Sequence, residues 1–303
     1  MGPQALAEAV TRLRWVCPGA AALLALARSP TATSWDAVRG DPGAVLMLVR
    51  HSPMLRATAN GSFVPNLLAN PNLLEEVLRR LDGPVVGWAD WNQPSIQLVH
   101  QSALRYAASA HSLAQAEQSC DPDLAWIGGL LAPLGWLVVA AVNPSAVAAC
   151  LEDPKFSSDA QVVQERHWGL TASAIGRRLA RRWRLPDWLS AIVGQLGIPE
   201  ETAVRFGAEP NLFRVVQAAV ALVDQQALAN CRLHMSNCRL AEPSLQSAIC
   251  KLQWAICNDS IWQNPAEVPL LKDLLQSGII WKFPAADECG SFAFPACESA
   301  FLR

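Results

Sequence analysis

An uncharged run of nineteen residues, Leu124 to Val142, restricts what this chain can fold into more than any other feature. Its length is close to that of a helix that spans a bilayer. However, it contains three glycines and Pro133, and the preceding Asp121 and Asp123 are acidic, whereas Lys and Arg normally anchor and orient spans. We therefore predict a buried core helix, broken near Pro133, and no membrane association.

The composition of the 303-residue chain is typical of a globular protein with a sizeable core. Hydrophobic residues make up 51% of it and charged residues only 17%, which excludes disorder for most of the chain. The formal net charge of −2 argues against nucleic acid as a general partner. Nine dispersed cysteines, an odd number, indicate reduced thiols and a cytoplasmic protein rather than a secreted disulfide framework.

Helix signals recur along the chain, and no strand-like alternation of useful length occurs. Asp41-Pro42 and Asn143-Pro144 each place a capping side chain before a proline, the order typical of a helix start. Ser34 is predicted to cap a shorter helix, and residues 53–72, with three prolines, are predicted to be loop-rich. The pattern as a whole predicts an all-α fold whose last core helix runs from Asn211 to Ala229.

Two segments carry a family resemblance. Residues 128–139 read GGLLAPLGWLVV, and residues 169–192 read GLTASAIGRRLARRWRLPDWLSAI, in which a Leu-Pro pair follows a helix that ends in tryptophan. Together with their flanks they resemble HDOD domains, the non-catalytic relatives of the HD phosphohydrolases. The resemblance extends over roughly Cys17 to Ala229.

This resemblance implies a domain organisation and a class of function. It implies an HDOD/HD-like multi-helix bundle at residues 17–230. Outside the resemblance, the sequence pattern predicts an N-terminal helix at 1–16 and a small helical C-terminal extension with an irregular tail at 231–303. The resemblance also implies a non-enzymatic signalling or regulatory module in a bacterial cytoplasm, with protein partners such as a signalling kinase or a cyclic-dinucleotide module. No oligomeric state follows from the sequence.

The metal-binding motif of HD proteins is missing from the matching positions. Relatives that keep it read GLLHDIG, where this chain has Ala132 and Pro133, and neither side chain offers an electron pair to a metal. The other family ligands fall near Gln101, Ala172, Gly194-Gln195 and Asp224. Only Asp224 matches the family ligand at its position. The resemblance therefore implies a lost metal site, and we predict no catalytic residue and no cofactor.

The densest positive charge lies on the predicted helix from Thr171 to Trp183, at Arg177, Arg178, Arg181 and Arg182. Helical spacing places these arginines beside the buried stripe and toward solvent. An acidic protein partner, a phosphorylated ligand or RNA would each suit such a face. A solvated surface with ion pairs to Glu165 or Asp187 is the alternative interpretation.

Two other functions remain open at the level of sequence. A zinc-containing adaptor could draw its ligands from Cys231, His234, Cys238, Cys250 and Cys257. The same cysteines are equally consistent with buried free thiols. The second alternative is a divergent metal-dependent phosphohydrolase that uses His100, Asp224 and ligands that the sequence does not reveal.

Overall fold

The computed structural model describes residues 1–12, 26–51, 63–70, 72, 75–76, 94–156 and 158–238, which fold into α-helices without a strand among them. The helices are α1 (Pro3–Arg12), α2 (Ala32–Val38), α3 (Pro42–His51), α4 (Phe63–Leu68), α5 (Pro94–Glu117), α6 (Pro122–Leu131), α7 (Leu134–Val142), α8 (Pro144–Leu151), α9 (Ala160–Trp168), α10 (Ala172–Trp183), α11 (Asp187–Gln195), α12 (Glu200–Arg205) and α13 (Pro210–Cys238). The prediction of an all-α fold is confirmed.

Helices α6 and α7 contain the uncharged run and form part of the core. Most of their residues are buried, from Leu124 to Leu131 in α6 and from Leu134 to Ala140 in α7. The two helices are bent by 41° at the break between them. Because Pro133 has no amide hydrogen, it cannot continue the hydrogen bonding of α6. The predicted burial and the predicted break are both confirmed. Among the described residues, no single helix is long and apolar enough to cross a membrane, although the bent α6–α7 pair reaches that length and composition jointly.

The observed helix starts follow local capping chemistry. Asp41 Oδ1 accepts hydrogen bonds from the first backbone N–H groups of α3 at 2.8 and 3.0 Å, and Asn143 caps α8, as predicted. The prediction that Ser34 caps a helix is wrong, because Thr31 is the N-cap of α2. Thr31 and Ser34 lie three residues apart and cap each other's backbone N–H, so the helix begins after the first hydroxyl rather than the second.

Two helix boundaries differ from the expectation. Helix α4 lies within residues 53–72, which were expected to be loop-rich, because Pro65 falls in its first turn, where proline is tolerated. Helix α13 continues past Ala229 to Cys238, since the sequence from Asn211 to Cys238 contains neither glycine nor proline to end it.

Helix α6 lies at the centre of the described bundle, and its backbone packs directly against the backbone of α5. A Cβ atom on Gly129 would lie 2.6 Å from the carbonyl oxygen of Tyr106 and 2.7 Å from Ala107 Cα, so only glycine permits this approach. One turn earlier on α6, the ring of Trp126 meets His111 edge to face, with ring centres 6.0 Å apart. The two helices are therefore antiparallel. The opposite side of α6 faces α11 and α13.

Helix α1 lies alongside α10 and runs in the same direction. Its buried residues, Leu6 and Val10, face the domain. Its start is beside Gly169, where an added Cβ would lie 2.9 Å from Pro3 O, and near its end the carbonyl of Thr11 accepts a hydrogen bond from Arg182 on α10. The N-terminal helix is thus packed onto the bundle.

Candidate functional site

The bend between α6 and α7 contains Ala132 and Pro133, the positions where the resemblance places the His-Asp doublet of HD proteins. Ala132 and Pro133 are half-buried there and expose no donor atom of a side chain. The start of α10 packs against α7 so closely that a Cβ on Gly135 would collide with the carbonyl oxygen of Ala172. The N–H of Ala172 donates to the buried Gln164 Oε1 at 2.8 Å. Apolar groups and satisfied backbone thus fill these three positions.

Asp224, the matching acid on α13, is engaged by a tyrosine of α5. The hydroxyl of Tyr106 donates to Asp224 Oδ1 at 2.6 Å. Burial of the ring, followed by the negative charge of Asp224, raises the pKa of Tyr106 far above its ordinary value, so the phenol keeps its proton and remains a donor. This bond joins α5 to α13 and occupies one carboxylate oxygen. Sequence reasoning missed Tyr106, since nothing in the local pattern pairs it with a residue more than a hundred positions away.

The imidazole nearest to the first ligand position is also engaged. His100 Nε2 lies 2.7 Å from the carbonyl oxygen of Gly40, and because a carbonyl only accepts, this nitrogen carries the hydrogen. The neighbouring Gln101 is exposed on α5. His100 therefore ties α5 to the turn between α2 and α3.

The remaining family position lies at the end of α11. The carbonyl of Gly194 accepts a hydrogen bond from Arg177 at 3.1 Å, and Gln195 Oε1 is buried without a hydrogen-bond partner among the described residues. Within the described part of the chain, no group of three or more His, Cys, Asp or Glu side chains is arranged to hold a metal ion. The positions where the resemblance places metal ligands thus offer one engaged carboxylate, that of Asp224, and the amide oxygens of Gln101 and Gln195.

The four arginines of α10 form the second candidate site, and all four side chains are exposed, as predicted. At about 100° per residue, the order around the helix is Arg177, Arg181, Arg178, Arg182. The buried side of α10 lies opposite and contains Ile175, Gly176, Leu179, Ala180 and Trp183. The four arginines therefore span one continuous arc, which we call the arginine face.

The two outer arginines of this face serve the fold. Arg177 donates to Gly194 O in the last turn of α11, and Arg182 donates to Thr11 O in the last turn of α1. A guanidinium at a helix C-terminus satisfies a free carbonyl and meets the negative end of the helix dipole. Each of these arginines thus attaches a neighbouring helix to α10.

The two inner arginines have no such role. In the described part of the chain, the side chains of Arg178 and Arg181 take part in no hydrogen bond or ion pair, and the expected alternative partners Glu165 and Asp187 do not reach them. Two like charges three residues apart on an exposed helix therefore lack an acidic counterpart within the described molecule. This pair is the part of the arginine face that is available to another molecule.

The candidate zinc ligands cannot be brought together from the described residues. Cys231, His234 and Cys238 belong to the last turns of α13, in a stretch whose side chains are outside the description, and Cys250 and Cys257 lie outside the described residues altogether. The zinc site stays a prediction.

A further polar cluster joins α2, α5 and α6 and was not predicted. The guanidinium of Arg39 lies 4.5 Å from the ring centre of Trp126, whose Nε1 donates to Arg39 O at 2.9 Å. Burial lowers the pKa of His111 on the other side of this ring and raises the pKa of the nearby Asp123 carboxyl. The cluster holds the α2–α3 turn against the core. Its members come from three separate helices, so no spacing in the sequence could have grouped them.

Comparison with known proteins identifies a family for part of the chain. Residues 89–196 match the HDOD domain family. Two similar solved structures are both of the MmoQ response regulator from Methylococcus capsulatus strain Bath. The first is 20% identical to this chain with a TM-score of 0.47, and the match covers 69% of this chain and 85% of that structure. The second, a fragment, is 18% identical with a TM-score of 0.48, and the match covers 82% of this chain and 98% of that structure. No protein with a curated description matches the chain.

Proposed function

We propose that this chain, which carries an HDOD domain at residues 89–196, is a non-enzymatic signalling module that docks an acidic protein partner on its arginine face. The observation that carries the proposal is the division of that face. Two arginines are used to attach neighbouring helices, and the two between them, Arg178 and Arg181, point outward without a partner among the described residues.

The residues at the positions of the HD metal ligands, which we call the family centre, support the proposal that the module is not an enzyme. These positions are Gln101, Ala132, Pro133, Ala172, Gly194-Gln195 and Asp224. Metal-dependent hydrolysis needs several donor side chains around an open coordination position. Here Ala132, Pro133 and Ala172 have none, His100 donates to a backbone carbonyl, and Asp224 accepts from Tyr106. The one carboxylate and one imidazole that remain are too few ligands for a catalytic metal ion.

The state of the described cysteines supports a reducing compartment, and we place the protein in the bacterial cytoplasm. Cys120 and Cys150 are free thiols. Burial raises the pKa of Cys120 to about 11 and that of Cys150 to about 12, so both remain protonated and unreactive at neutral pH. Unpaired buried thiols are typical of proteins that are not exposed to oxidising conditions.

The inner arginines suit carboxylates for a geometric reason. A guanidinium presents paired N–H donors that match both oxygens of a carboxylate, and exposed arginines can adjust to a partner at little cost to the fold. Because such contacts are partly solvated, they steer association and weaken as salt rises.

The test compares three forms of the protein as bait for partners from the source bacterium. They are the wild type, the Arg178→Glu/Arg181→Glu variant, and the matched control Arg28→Glu/Arg105→Glu, which changes the net charge equally at exposed arginines outside α10. We expect a partner that wild type and control retain and the α10 variant loses. With that partner purified, the α10 variant should bind about tenfold or more weakly and with less salt dependence. Equal affinity and equal salt dependence for all three would overturn the docking proposal.

A further inference from the structure

Helix α12 ends in a rigid turn that holds Phe206 in solvent. The N–H of Ala208 bonds to the carbonyl of Ala203 at 3.1 Å, and that of Gly207 bonds to Val204 at 3.0 Å. Gly207 has a φ of +94°, so the turn is a Schellman motif with glycine at the left-handed position. Phe206 occupies the C-cap immediately before it.

The ring of Phe206 is not needed by this turn. The apolar contact that accompanies a Schellman motif joins the residues at its two ends, here Ala203 and Ala208, which are 0% and 6% exposed. Phe206 is 63% exposed, and Val204, two residues earlier, is 38% exposed. The exposed ring of Phe206 is a small apolar patch on a turn whose backbone hydrogen bonds are satisfied, and no fold requirement among the described residues accounts for it.

This patch lies at the end of the α10–α11 pair that carries the arginine face. A Cβ on Gly207 would lie 2.9 Å from Asp187 Cβ, so the turn after α12 touches the first residue of α11. Three residues before Asp187, the exposed Arg184 ends α10 with a φ of +53°. At 3.8 Å between consecutive Cα atoms, Phe206 and Arg184 are separated by roughly 15–20 Å at most.

Four exposed arginines lie on the two elements that meet at this contact, the α10–α11 pair and α12. They are Arg178 and Arg181 on α10, Arg184 at its end, and Arg205 beside Phe206 itself. None of the four has a hydrogen bond or ion pair with its side chain in the described part of the chain. The acids nearby are Asp187 at the contact, Glu209 just after the turn, and Glu200 and Glu201 in the first turn of α12, at the opposite end of that helix from Phe206. Glu209 Oε2 already accepts from the backbone N–H of Leu212.

We propose that the partner contributes an acidic peptide segment with one large apolar side chain, which packs on Phe206 while its carboxylates pair with Arg178, Arg181 and Arg184. The inference rests on the proposed docking function and names the chemistry of its ligand. A twelve-residue extended segment reaches about 40 Å and can cover the patch and the inner arginines together. Nucleic acid would also find arginines and an aromatic ring, but its continuous negative backbone would pass Asp187, whereas a peptide can place an uncharged residue there.

The test measures fluorescence anisotropy of labelled twelve-residue peptides with the full chain. One peptide contains glutamates around a central phenylalanine, and a second has serine in place of that residue. We expect the first to bind about tenfold more tightly, a difference that corresponds to burial of part of one apolar side chain. Phe206→Ser should remove this difference and leave the salt dependence of binding unchanged. Arg178→Gln/Arg181→Gln should weaken both peptides and reduce the salt dependence. Val162→Ser, which removes another exposed apolar side chain, 47% exposed on α9, is the matched control and should bind as the wild type does.

The outcomes separate this inference from the proposed function. If Phe206→Ser changes nothing while the arginine variant weakens binding, the apolar anchor is wrong and acidic docking stands. If neither variant matters, both are wrong. A labelled oligouridine of equal length that binds more tightly than the acidic peptide, through the same residues, overturns the choice of a peptide. Self-association in light scattering that Phe206→Ser abolishes would assign the patch to a second copy of the chain and overturn it as well.

Discussion

The α6–α7 bend and the arginine face of α10 belong to one bundle and have opposite chemistry. At the bend, apolar side chains and backbone pack closely against one another, and the side chains of Ala132 and Pro133 offer no electron pair to a metal ion. On α10, charged side chains project from a helix whose buried side alone serves the core. A family resemblance locates where relatives perform their chemistry, but only the residue types decide whether that chemistry is still available. In the described part of this chain, the surface of α10 carries two charged side chains, Arg178 and Arg181, that lack a partner.

The sharpest contrast between the two regions is their tolerance of a new charge. Leu131→Asp places a carboxylate at a site that is 0% exposed, next to the bend, without a cation to pair it. We expect the free energy of unfolding to fall by about 3 kcal/mol or more, enough to unfold a marginal domain. Arg178→Asp introduces the same side chain on the arginine face and should change it by no more than about 0.5 kcal/mol. Urea titrations followed by tryptophan fluorescence measure both. Equal unfolding midpoints for the two variants would contradict the assignment of core and surface.

The close backbone contact at the bend provides the next test. Gly135→Ala adds a methyl group where the carbonyl oxygen of Ala172 already lies, so α7 and α10 must separate. We expect a loss of roughly 1–3 kcal/mol in unfolding free energy, the usual cost of overpacking. Gly197→Ala is the matched control, because a Cβ there meets nothing within 4 Å. If Gly135→Ala is as stable as Gly197→Ala, the packing of α7 on α10 is wrong.

Within the arginine face, the outer and inner positions should differ in the stability they give the fold. Arg177→Ala removes the hydrogen bond to Gly194 O, and we expect a loss of about 1 kcal/mol. Arg178→Ala should stay within about 0.5 kcal/mol of the wild type, since no described group contacts its side chain. Thermal unfolding of both variants under one buffer condition distinguishes them. A larger loss for Arg178→Ala would mean that the inner arginines serve the fold.

The smallest expected effect concerns pH and the cluster around Trp126. Burial lowers the pKa of His111 in the folded state below its ordinary value of 6.5, with Arg39 acting in the same direction and Asp123 and Asp121 opposing it. The unfolded chain therefore binds more protons near pH 6, so stability is retained above about pH 6.5 and falls as the pH decreases through that value. His111→Phe keeps an aromatic contact and removes the titration. Unfolding midpoints at about pH 8 and about pH 5.5 should differ more for the wild type than for His111→Phe. The same decrease in both proteins would show that His111 does not contribute.

Much of the fold could be predicted because its signals are local. Asp41 and Asn143 cap the helices that they were expected to cap, and Pro133 breaks the apolar run where proline must. Helix α4 was missed because Pro65 counts as a helix breaker except in a first turn. Thr31 was missed because two hydroxyls three residues apart can each be read as the cap.

Only part of the candidate site could be predicted. Helical spacing indicates which arginine side chains are exposed, but it does not indicate which of them form hydrogen bonds to other helices. The spacing correctly placed four arginines in solvent. It could not show that Arg177 and Arg182 reach carbonyls on α11 and α1, because those contacts depend on how separate helices pack. The bond between Tyr106 and Asp224 escaped prediction for the same reason. Long-range pairing decides which polar groups are free, and no local pattern records it.

Our central proposal is that the family centre does not bind a metal ion and that the protein acts through the arginine face instead. The most direct test is the elemental content of protein purified without chelators, measured for the wild type and for Asp224→Ala. A zinc ion held by the C-terminal cysteines would be equal in both, so only metal that depends on Asp224 is relevant. We expect the two proteins to have the same Mn, Fe and Zn content. One equivalent of any of these metals in the wild type that is lost in Asp224→Ala would contradict the claim and restore the phosphohydrolase alternative.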